Sequence, residues 1–307
     1  MNTAKPILSI CIPVKNFNVH PLVESLLVEI RDKKLGIEIL IVEDGSDETG
    51  KQLNSDLSVE SEVTLFYFEN NKGRSAARNF LAAQAKSEIL LFIDADSLPI
   101  RIDYLSYYLS LVKNDSILCG GTHYSLTYRT LQTQLHWKYG AHREVSTSVD
   151  KEKEGFKSNN FCLYKSTFNT ILFNEGLTQY GHEDTLFGIN AAQQKIRIEF
   201  IDNAVIHTGL ENNTDFLNKA EQSIQSLSTI IQHKMLSNEE LVFHFKLIAA
   251  YKKLEKFRLH FILRLLSPAK PLIKKILIWF SGPLVLFDLY KLLLLHKQSI
   301  FVQPRHK

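Results

Sequence analysis

The chain has 307 residues, of which 45% are hydrophobic and 22% are charged, a composition typical of a folded protein with a full core and an appendage. Its three cysteines, Cys11, Cys119 and Cys162, lie far apart in apolar segments, which argues against a disulfide framework or a zinc site. The first residues lack the apolar region and cleavage site of a signal peptide, so we expect a cytoplasmic protein.

Charge is distributed unevenly along the chain. The formal net charge is +3, but residues 241–307 contain 13 lysines and arginines against two acids. The first 240 residues hold 23 bases and 31 acids. An acidic body with a basic tail predicts that the tail meets an anionic surface, and we expect no nucleic-acid partner.

Four apolar runs in the first hundred residues have the length and β-branched content of buried strands. They occupy residues 7–14, 37–42, 63–68 and 89–93. Helical segments separate them: one from Pro21 to about residue 34, a polar one after the second strand, and one over residues 75–86. This order predicts an α/β fold with a mostly parallel central sheet and helices on both faces.

Carboxylates follow two of these strands. Asp94 and Asp96 come directly after the fourth strand, and Asp44 follows the second. Two acids at a strand end repel each other and resist dehydration, and hard oxygen ligands suit Mg²⁺ or Mn²⁺. The alternative is a polar turn that caps the next helix. Ligands of open α/β sheets bind beyond the carboxyl ends of the strands, which favours a shared site.

The loop before the third helix contains Lys72, Gly73 and Arg74, followed by Ser75. Glycine gives the backbone freedom, two cations flank it, and a helix begins there. Such a corner suits phosphate oxygens. An ordinary solvated turn with a serine N-cap explains the same residues.

Beyond residue 99 the pattern is less regular. It predicts a helix over residues 102–112, strands over 116–124 and 157–164, and an edge strand over 195–201. Residues 125–156 are aromatic and rich in histidine, which indicates a mobile loop or short helices over a substrate site, or a solvated loop.

Three further residues near the end of the body could carry chemistry. Glu183 and Asp184 open a segment with helical spacing. They are either first-turn acids that favour the helix dipole or include a general base at the mouth of the site. His207 follows an apolar pair, a position typical of a structural histidine unless a metal lies nearby.

Five motifs, in this order and spacing, resemble those of the family 2 glycosyltransferases with the GT-A fold. They are SICIPVKN from Ser9, VEDGS from Val42, NKGRSAARN from Asn71, FIDAD from Phe92 and GHED from Gly181. The resemblance covers roughly residues 7–210. It implies a Rossmann-like GT-A catalytic domain over residues 1–210, which leaves residues 211–307 as a helical C-terminal region.

The resemblance implies that five residues bind the donor, a nucleotide sugar. Pro13 and Asp44 would line the nucleotide base pocket, and Asp94 would lie against the ribose and the metal. Arg74 and Arg78 match the loop and helix segment beside the donor.

The same resemblance implies the metal and the catalytic groups. Asp96 would ligate the Mn²⁺ or Mg²⁺ that bridges the diphosphate, with Asp94 and His207 as further ligands. Asp184 would be the catalytic base, and Glu183 would contact the acceptor. His182 departs from many relatives, which carry an aromatic or small residue there, and it could alter acceptor contacts.

The implied reaction moves a sugar from a nucleoside diphosphate donor, first of all a UDP-sugar, to a hydroxyl acceptor with inversion at the anomeric carbon. The acceptor would be a growing surface glycan or a lipid-linked saccharide, as in polysaccharide biosynthesis. Two alternatives stay open. One is a non-catalytic, membrane-attached subunit that binds nucleotide sugars. The other is a nucleotidyltransferase, although the chain lacks the glycine-rich N-terminal phosphate loop usual in such enzymes.

The C-terminal region is predicted to be helical. Residues 243–266 mix aromatic and aliphatic side chains with lysines and arginines, and residues 276–287 are 12 positions without a charged side chain before Asp288. A spanning helix needs about 20 apolar residues, so we expect a basic amphipathic pair lying in the membrane interface. Residues 241–307 would then hold the protein peripherally on the inner face of the cell membrane. The alternative is a helical cap on the body or on a partner subunit.

Overall fold

The computed structural model describes residues 5–145, 155–177 and 179–298. The chain forms two compact units. The first comprises Met1–Ser125, Arg143–Thr178 and Glu183–Gly209, and the second comprises Leu126–His142, Gln179–His182 and Leu210–Lys307. Two segments from within the first 210 residues therefore group with the C-terminal helices.

The strands of the first unit were mostly foreseen from the apolar runs. In chain order they are β1 (Leu8–Val14), β2 (Ile37–Asp44), β3 (Val63–Phe68), β4 (Ile89–Ile93), β5 (Ser97–Pro99), β6 (Ser116–Cys119), β7 (Thr122–His123), β8 (Asn160–Tyr164), β9 (Arg197–Phe200) and β10 (Val205–His207). The single strand predicted over residues 116–124 is two strands, β6 and β7, which belong to different sheets.

Seven of these strands form the central sheet, in the order β3-β2-β1-β4-β8-β6-β9. Neighbouring strands are parallel except at β8, which is antiparallel to both β4 and β6. The predicted α/β fold with a mostly parallel sheet is confirmed, and β9 lies at the sheet edge as expected. A smaller sheet has the order β5-β10-β7.

The helices fill the links between strands and make up the second unit. In chain order they are α1 (His20–Asp32), α2 (Glu48–Gln52), α3 (Arg74–Gln84), α4 (Tyr104–Leu111), α5 (Gln134–Arg143), α6 (Lys165–Ile171), α7 (Glu183–Gln193), α8 (Asn213–Gln232), α9 (Asn238–His244), α10 (Lys246–Lys256), α11 (His260–Leu266), α12 (Lys270–Phe280) and α13 (Leu284–Lys297). The helix predicted over residues 102–112 is shorter, and the segment predicted as a loop or short helices contains α5.

The core of the first unit lies on both faces of the central sheet. Side chains alternate along a strand, so Ile10 and Ile12 of β1 join a cluster on one face while Cys11 joins a second cluster on the other. Because the central strands are covered on both faces, their sequences are continuous apolar runs. The three cysteines are buried free thiols.

The C-terminal part of the second unit is a succession of helices from Asn213 to Lys297, as the sequence predicted for the C-terminal region. Side chains cap two of its helices: Asn212 accepts hydrogen bonds from the first turn of α8, and Ser237 and Glu240 form a capping box on α9. Among the helices that the structure describes, none combines the length and apolarity needed to cross a bilayer.

Candidate active site

The sheet topology brings three strand ends together. Strand β1 lies between β2 and β4, and all three are parallel. The chain builds outward from β1 through β2 to β3 and then returns to place β4 on the other side of β1. This reversal is the switch point at which open α/β sheets bind ligands. The carboxyl ends of these strands therefore bring together half-buried Pro13 on β1, Asp44 on β2 and the acids that follow β4.

Asp44 holds the loop that precedes α3. Its two carboxylate oxygens accept hydrogen bonds from the backbone N–H groups of Lys72, at 2.6 Å, and Gly73, at 2.9 Å. The loop also packs against Gly45, which has a φ of +67° and where a Cβ atom would lie 2.2 Å from the backbone nitrogen of Asn71. A buried carboxylate thus fixes the path of the loop.

The same loop presents a helix N-terminus. Gly73 has a φ of +89° and no side chain to cap the first turn of α3, so that turn offers backbone N–H donors to an anion. Arg74 is the first residue of α3, and the Lys72 ammonium lies 4.3 Å from the centre of the Phe68 ring. The corner predicted from the sequence is present, with both cations beside it.

Arg78, one turn further along α3, is fully buried. Its Nη2 donates a hydrogen bond of 2.7 Å to Oδ1 of Asp94, and its guanidinium carbon lies 5.2 Å from the centre of the Phe173 ring. Its Nε and Nη1 have no hydrogen-bond partner among the described residues. A buried cation with two unsatisfied donors is costly in a purely structural role and is typical of an anion-binding site.

Asp96 and His207 meet although 111 positions separate them in sequence. Strand β10 pairs with β5 so that His207 lies opposite Ser97, and the Thr208 N–H donates to the Asp96 carbonyl oxygen at 2.8 Å. Oδ1 of Asp96 then lies 3.4 Å from Nδ1 of His207. Burial is the largest single influence on the pKa of His207 and lowers it. The charge and hydrogen bond of Asp96, with the charges of Glu144 and Asp94, together outweigh burial, so the pKa is raised above its ordinary value.

A divalent metal ion fits this pair. Among the described residues no group of three His, Cys, Asp or Glu side chains is close enough to hold a metal on its own. Mg²⁺, however, is commonly held by one or two carboxylates together with substrate phosphates and water, rather than by an all-protein cage. Asp96 and His207 would supply the protein ligands, and Asp94 directs one oxygen to Arg78.

Glu183 and Asp184 occupy the first turn of α7. Oδ1 of Asp184 accepts from the Thr185 backbone N–H at 2.7 Å. Burial, together with the charge of Glu183, raises the pKa of Asp184 to about 6, against the opposing effect of Arg78 and Lys157. A carboxylate with a pKa near neutrality is suited to act as a general base.

The four residues before α7 belong to the second unit. Gly181 and His182 both have positive φ angles, of +100° and +72°. Nε2 of His182 lies 3.0 Å from the Ser223 hydroxyl, and the Ser226 hydroxyl donates to the carbonyl oxygens of Gln179 and Tyr180. Contacts with α8 therefore hold the segment that carries His182.

Sequence reasoning missed Tyr124, Glu144 and Lys157. The Tyr124 ring lies 5.4 Å from the His207 ring, centre to centre, and its hydroxyl donates to the Glu144 carboxylate. Lys157 donates to the Glu144 carbonyl oxygen at 2.6 Å. Two of these residues act electrostatically on the predicted site: the charge of Glu144 raises the pKa of His207, and the charge of Lys157 lowers the pKa of Asp184. The one available signal was a lysine just before a buried strand.

The sequence profile described as Glycosyl transferase family 2 matches residues 9–175, more than half of the chain. An uncharacterized glycosyltransferase of Haemophilus influenzae is 28% identical over 120 residues, which cover 38% of this chain and 47% of that protein. The chain thus spans about half the length of this curated relative.

Two solved proteins are similar in fold. The mannosyltransferase PcManGT from Pyrobaculum calidifontis, in complex with GDP-Man and Mn²⁺, is 16% identical, with a TM-score of 0.52 over 75% of this chain and 65% of that one. S. aureus TarS 1-349 is 18% identical, with a TM-score of 0.52 over 96% of this chain and 90% of that one. Its complex with UDP is 15% identical and gives a TM-score of 0.50 with the same coverage. These likenesses support the predicted GT-A architecture.

Proposed function

The chain belongs to glycosyltransferase family 2, and from that premise we propose an inverting transfer of a sugar from a nucleoside diphosphate donor to a hydroxyl acceptor. The observation that carries the proposal is the position of Arg78. It binds Asp94 at the end of β4, and its charge also lowers the pKa of Asp184 on α7. One buried cation thus links the predicted donor side of the site to the predicted base.

Inversion in one displacement needs a base and no protein nucleophile. The acceptor hydroxyl oxygen attacks the anomeric carbon, the bond from that carbon to the diphosphate oxygen breaks, and Asp184 takes the hydroxyl proton. Its pKa of about 6 leaves it ionised at neutral pH, yet basic enough to accept that proton. Base catalysis of this kind contributes typically ~10²–10⁴-fold. Glu183, buried beside Asp184, would contact the acceptor.

The donor would lie along the edge formed by β1, β2 and β4. Pro13 and Asp44 would bound the base pocket, and Asp94 would contact the ribose. The first turn of α3, with Arg74 and Arg78, would face the diphosphate. A UDP-sugar is the donor that we favour, supported by the UDP complex of TarS 1-349, which covers most of this chain.

Asp96 and His207, with the second oxygen of Asp94, would hold a Mn²⁺ or Mg²⁺ ion. When bound, the ion acts as a Lewis acid that stabilises the charge of the departing diphosphate. The Mn²⁺ in the mannosyltransferase neighbour supports this assignment.

The acceptor would be a growing surface glycan or a lipid-linked saccharide at the inner face of a cell membrane. The strongly basic residues 241–307 support attachment to an anionic surface. Residues 1–210 would form the catalytic domain and residues 211–307 the helical attachment region. Residues 126–142 and 179–182 belong to the same compact unit as the C-terminal helices.

A two-stage experiment tests the proposal. Thermal-shift assays with nucleotide sugars, with and without Mn²⁺, identify the donor, because a bound ligand stabilises the fold by mass action. Turnover with that donor should release a nucleoside diphosphate. Asp184→Asn should keep donor binding and lose both transfer and donor hydrolysis, whereas Glu24→Gln on the exposed side of α1 should change neither. Release of pyrophosphate, or unchanged turnover in Asp184→Asn, would refute the mechanism.

A further inference from the structure

Large hydrophobic side chains are exposed along the C-terminal helices. Half of those exposed in the described part of the chain lie between Val242 and Val285. Six of them lie on α11 and α12, and we call the five that are more than half exposed the apolar face. They are Phe261 (57% exposed), Leu265 (75%), Leu272 (61%), Trp279 (73%) and Phe280 (72%). Exposure of several large apolar side chains on two successive helices is uncommon on a surface that only meets water.

The spacing of these residues places them on the outer side of their helices. Phe261 and Leu265 are four positions apart on α11, and Leu272 and Trp279 are seven apart on α12, so each pair shares one side. The inner side of the same helices is buried, through Leu263 on α11 and through Ile273 and Leu277 on α12. The apolar face is therefore what remains after the helices have packed within their own unit.

Lysines and arginines are concentrated on the helices that carry the apolar face and on α10, which precedes them. Nine lysines and arginines lie between Lys246 and Lys275, and Glu255 is the single acid in that interval. Glu255 pairs with Lys252, so its charge is already compensated. Lys253, Lys256 and Lys275 are exposed. A protein partner could cover the apolar side chains, but only an anionic one would also neutralise this excess.

We propose that the apolar face inserts into the interface of an anionic bilayer, with the surrounding lysines and arginines on the lipid headgroups. Amphipathic helices with basic polar surfaces bind membranes in this way. The aromatic pair at the end of α12, Trp279 and Phe280, has the side chains that favour the boundary between headgroups and acyl chains. The chain turns there, because Ser281 has a φ of +53°.

The biological use of this surface rests on the proposed function, since attachment would bring the enzyme to an acceptor carried by lipid. Binding to lipid does not depend on turnover and can be measured alone. Failure of one proposal would therefore leave the other standing. Transfer to a water-soluble acceptor, assayed without vesicles, reports the proposed function separately.

The test uses the full chain and vesicles of phosphatidylcholine with or without phosphatidylglycerol. The wild-type protein should float with the anionic vesicles and be released by salt. Phe261→Ser with Trp279→Ser should weaken binding by roughly tenfold or more, because buried apolar area is lost. Lys253→Gln, Lys256→Gln and Lys275→Gln together should weaken it by on the order of a hundredfold at low salt.

Matched variants on the first unit control for hydrophobicity and charge. Ile102→Ser removes a side chain that is 94% exposed, and Lys34→Gln with Lys113→Gln and Lys195→Gln removes three exposed charges. Neither should change vesicle binding by more than about twofold. Wild-type affinity in the Phe261/Trp279 variant would overturn the proposal. The proposal would also be overturned if the wild-type protein did not bind anionic vesicles and analytical ultracentrifugation showed that the apolar face is needed for self-association.

Discussion

Arg78 donates a 2.7 Å hydrogen bond to the Asp94 carboxylate from a fully buried position on α3. The pair joins the end of β4 to the helix that follows the loop held by Asp44. Burying a guanidinium away from water costs free energy. Among the described residues, the Asp94 carboxylate bonds one of the three guanidinium nitrogen atoms, and the other two have no hydrogen-bond partner. The cost is explained if the arginine serves an anionic substrate and the nearby base.

Arg78→Met should weaken donor binding and also move the pH profile. Because the charge of Arg78 lowers the pKa of Asp184, its removal should raise that pKa, and the acidic limb of the kcat/KM profile should shift to higher pH. Arg78→Lys keeps a cation but loses the planar fork. It should restore the pH profile without restoring the donor Kd. An unchanged pH profile of kcat/KM in Arg78→Met would show that the charge of Arg78 does not affect the pKa of the base.

The pH dependence of the wild-type enzyme follows from the same carboxylate. With a pKa of about 6, Asp184 is ionised above that pH and protonated below it. Glu183, Arg78 and Lys157 are the charged groups that act on it. Activity that depends on an ionised base should therefore fall as the pH drops through about 6, one decade per pH unit. An acidic limb below pH 5 would contradict this assignment.

Asp184 should also cost stability. Its pKa is raised in the folded state from an ordinary value of 3.8 to about 6, so the penalty for burying the ionised form builds up as the pH rises between these two values and is complete above about pH 6. Asp184→Asn should therefore be more stable than the wild type at pH 8, by about 1–3 kcal/mol. The difference should vanish near pH 4. Urea unfolding at the two pH values measures it, and equal differences at both would rule out ionisation as the cause.

The strands could be predicted from the sequence more completely than the site. Strands β3 and β4 have the predicted bounds, because continuous apolar runs between polar turns leave little choice of position. The direction of β8 could not be predicted, since an apolar run reads the same in either sense. That antiparallel strand starts where β4 ends, which is why Lys157, just before β8, was not anticipated near the site.

Contacts between side chains and loops could not be predicted from the sequence either. Asp44 was expected at the sheet edge, and it lies there. Its bonds to the backbone of Lys72 and Gly73 depend on the path of a loop that no residue pattern specifies. The proximity of His207 to Asp96 was implied only by family resemblance, because it arises from the pairing of two three-residue strands, β5 and β10, too short to leave a pattern.

The role of Asp44 in shaping the loop can be tested by Asp44→Asn. The amide keeps one acceptor oxygen and places an NH₂ group against a backbone N–H, so either Lys72 or Gly73 loses its partner. The free energy of unfolding should fall by about 1–3 kcal/mol, and the donor Kd should rise because the first turn of α3 is displaced. Asp32→Asn, at the exposed end of α1, is the matched control. Unchanged donor binding in a destabilised Asp44→Asn protein would limit Asp44 to a structural role.

The Asp96 side chain occupies the space that a side chain at Gly209 would need. A Cβ atom there would lie 2.6 Å from both Cβ and Oδ2 of Asp96, so Gly209→Ala should push the carboxylate away from His207. We expect activity to fall at limiting Mn²⁺ and to recover in part at higher Mn²⁺, because the affinity for the ion is lost rather than the base. Gly36→Ala is the control, since nothing lies within 4 Å of its added methyl group. A loss of activity that no Mn²⁺ concentration relieves, with the fold intact by circular dichroism, would show that Asp96 does more than bind the ion.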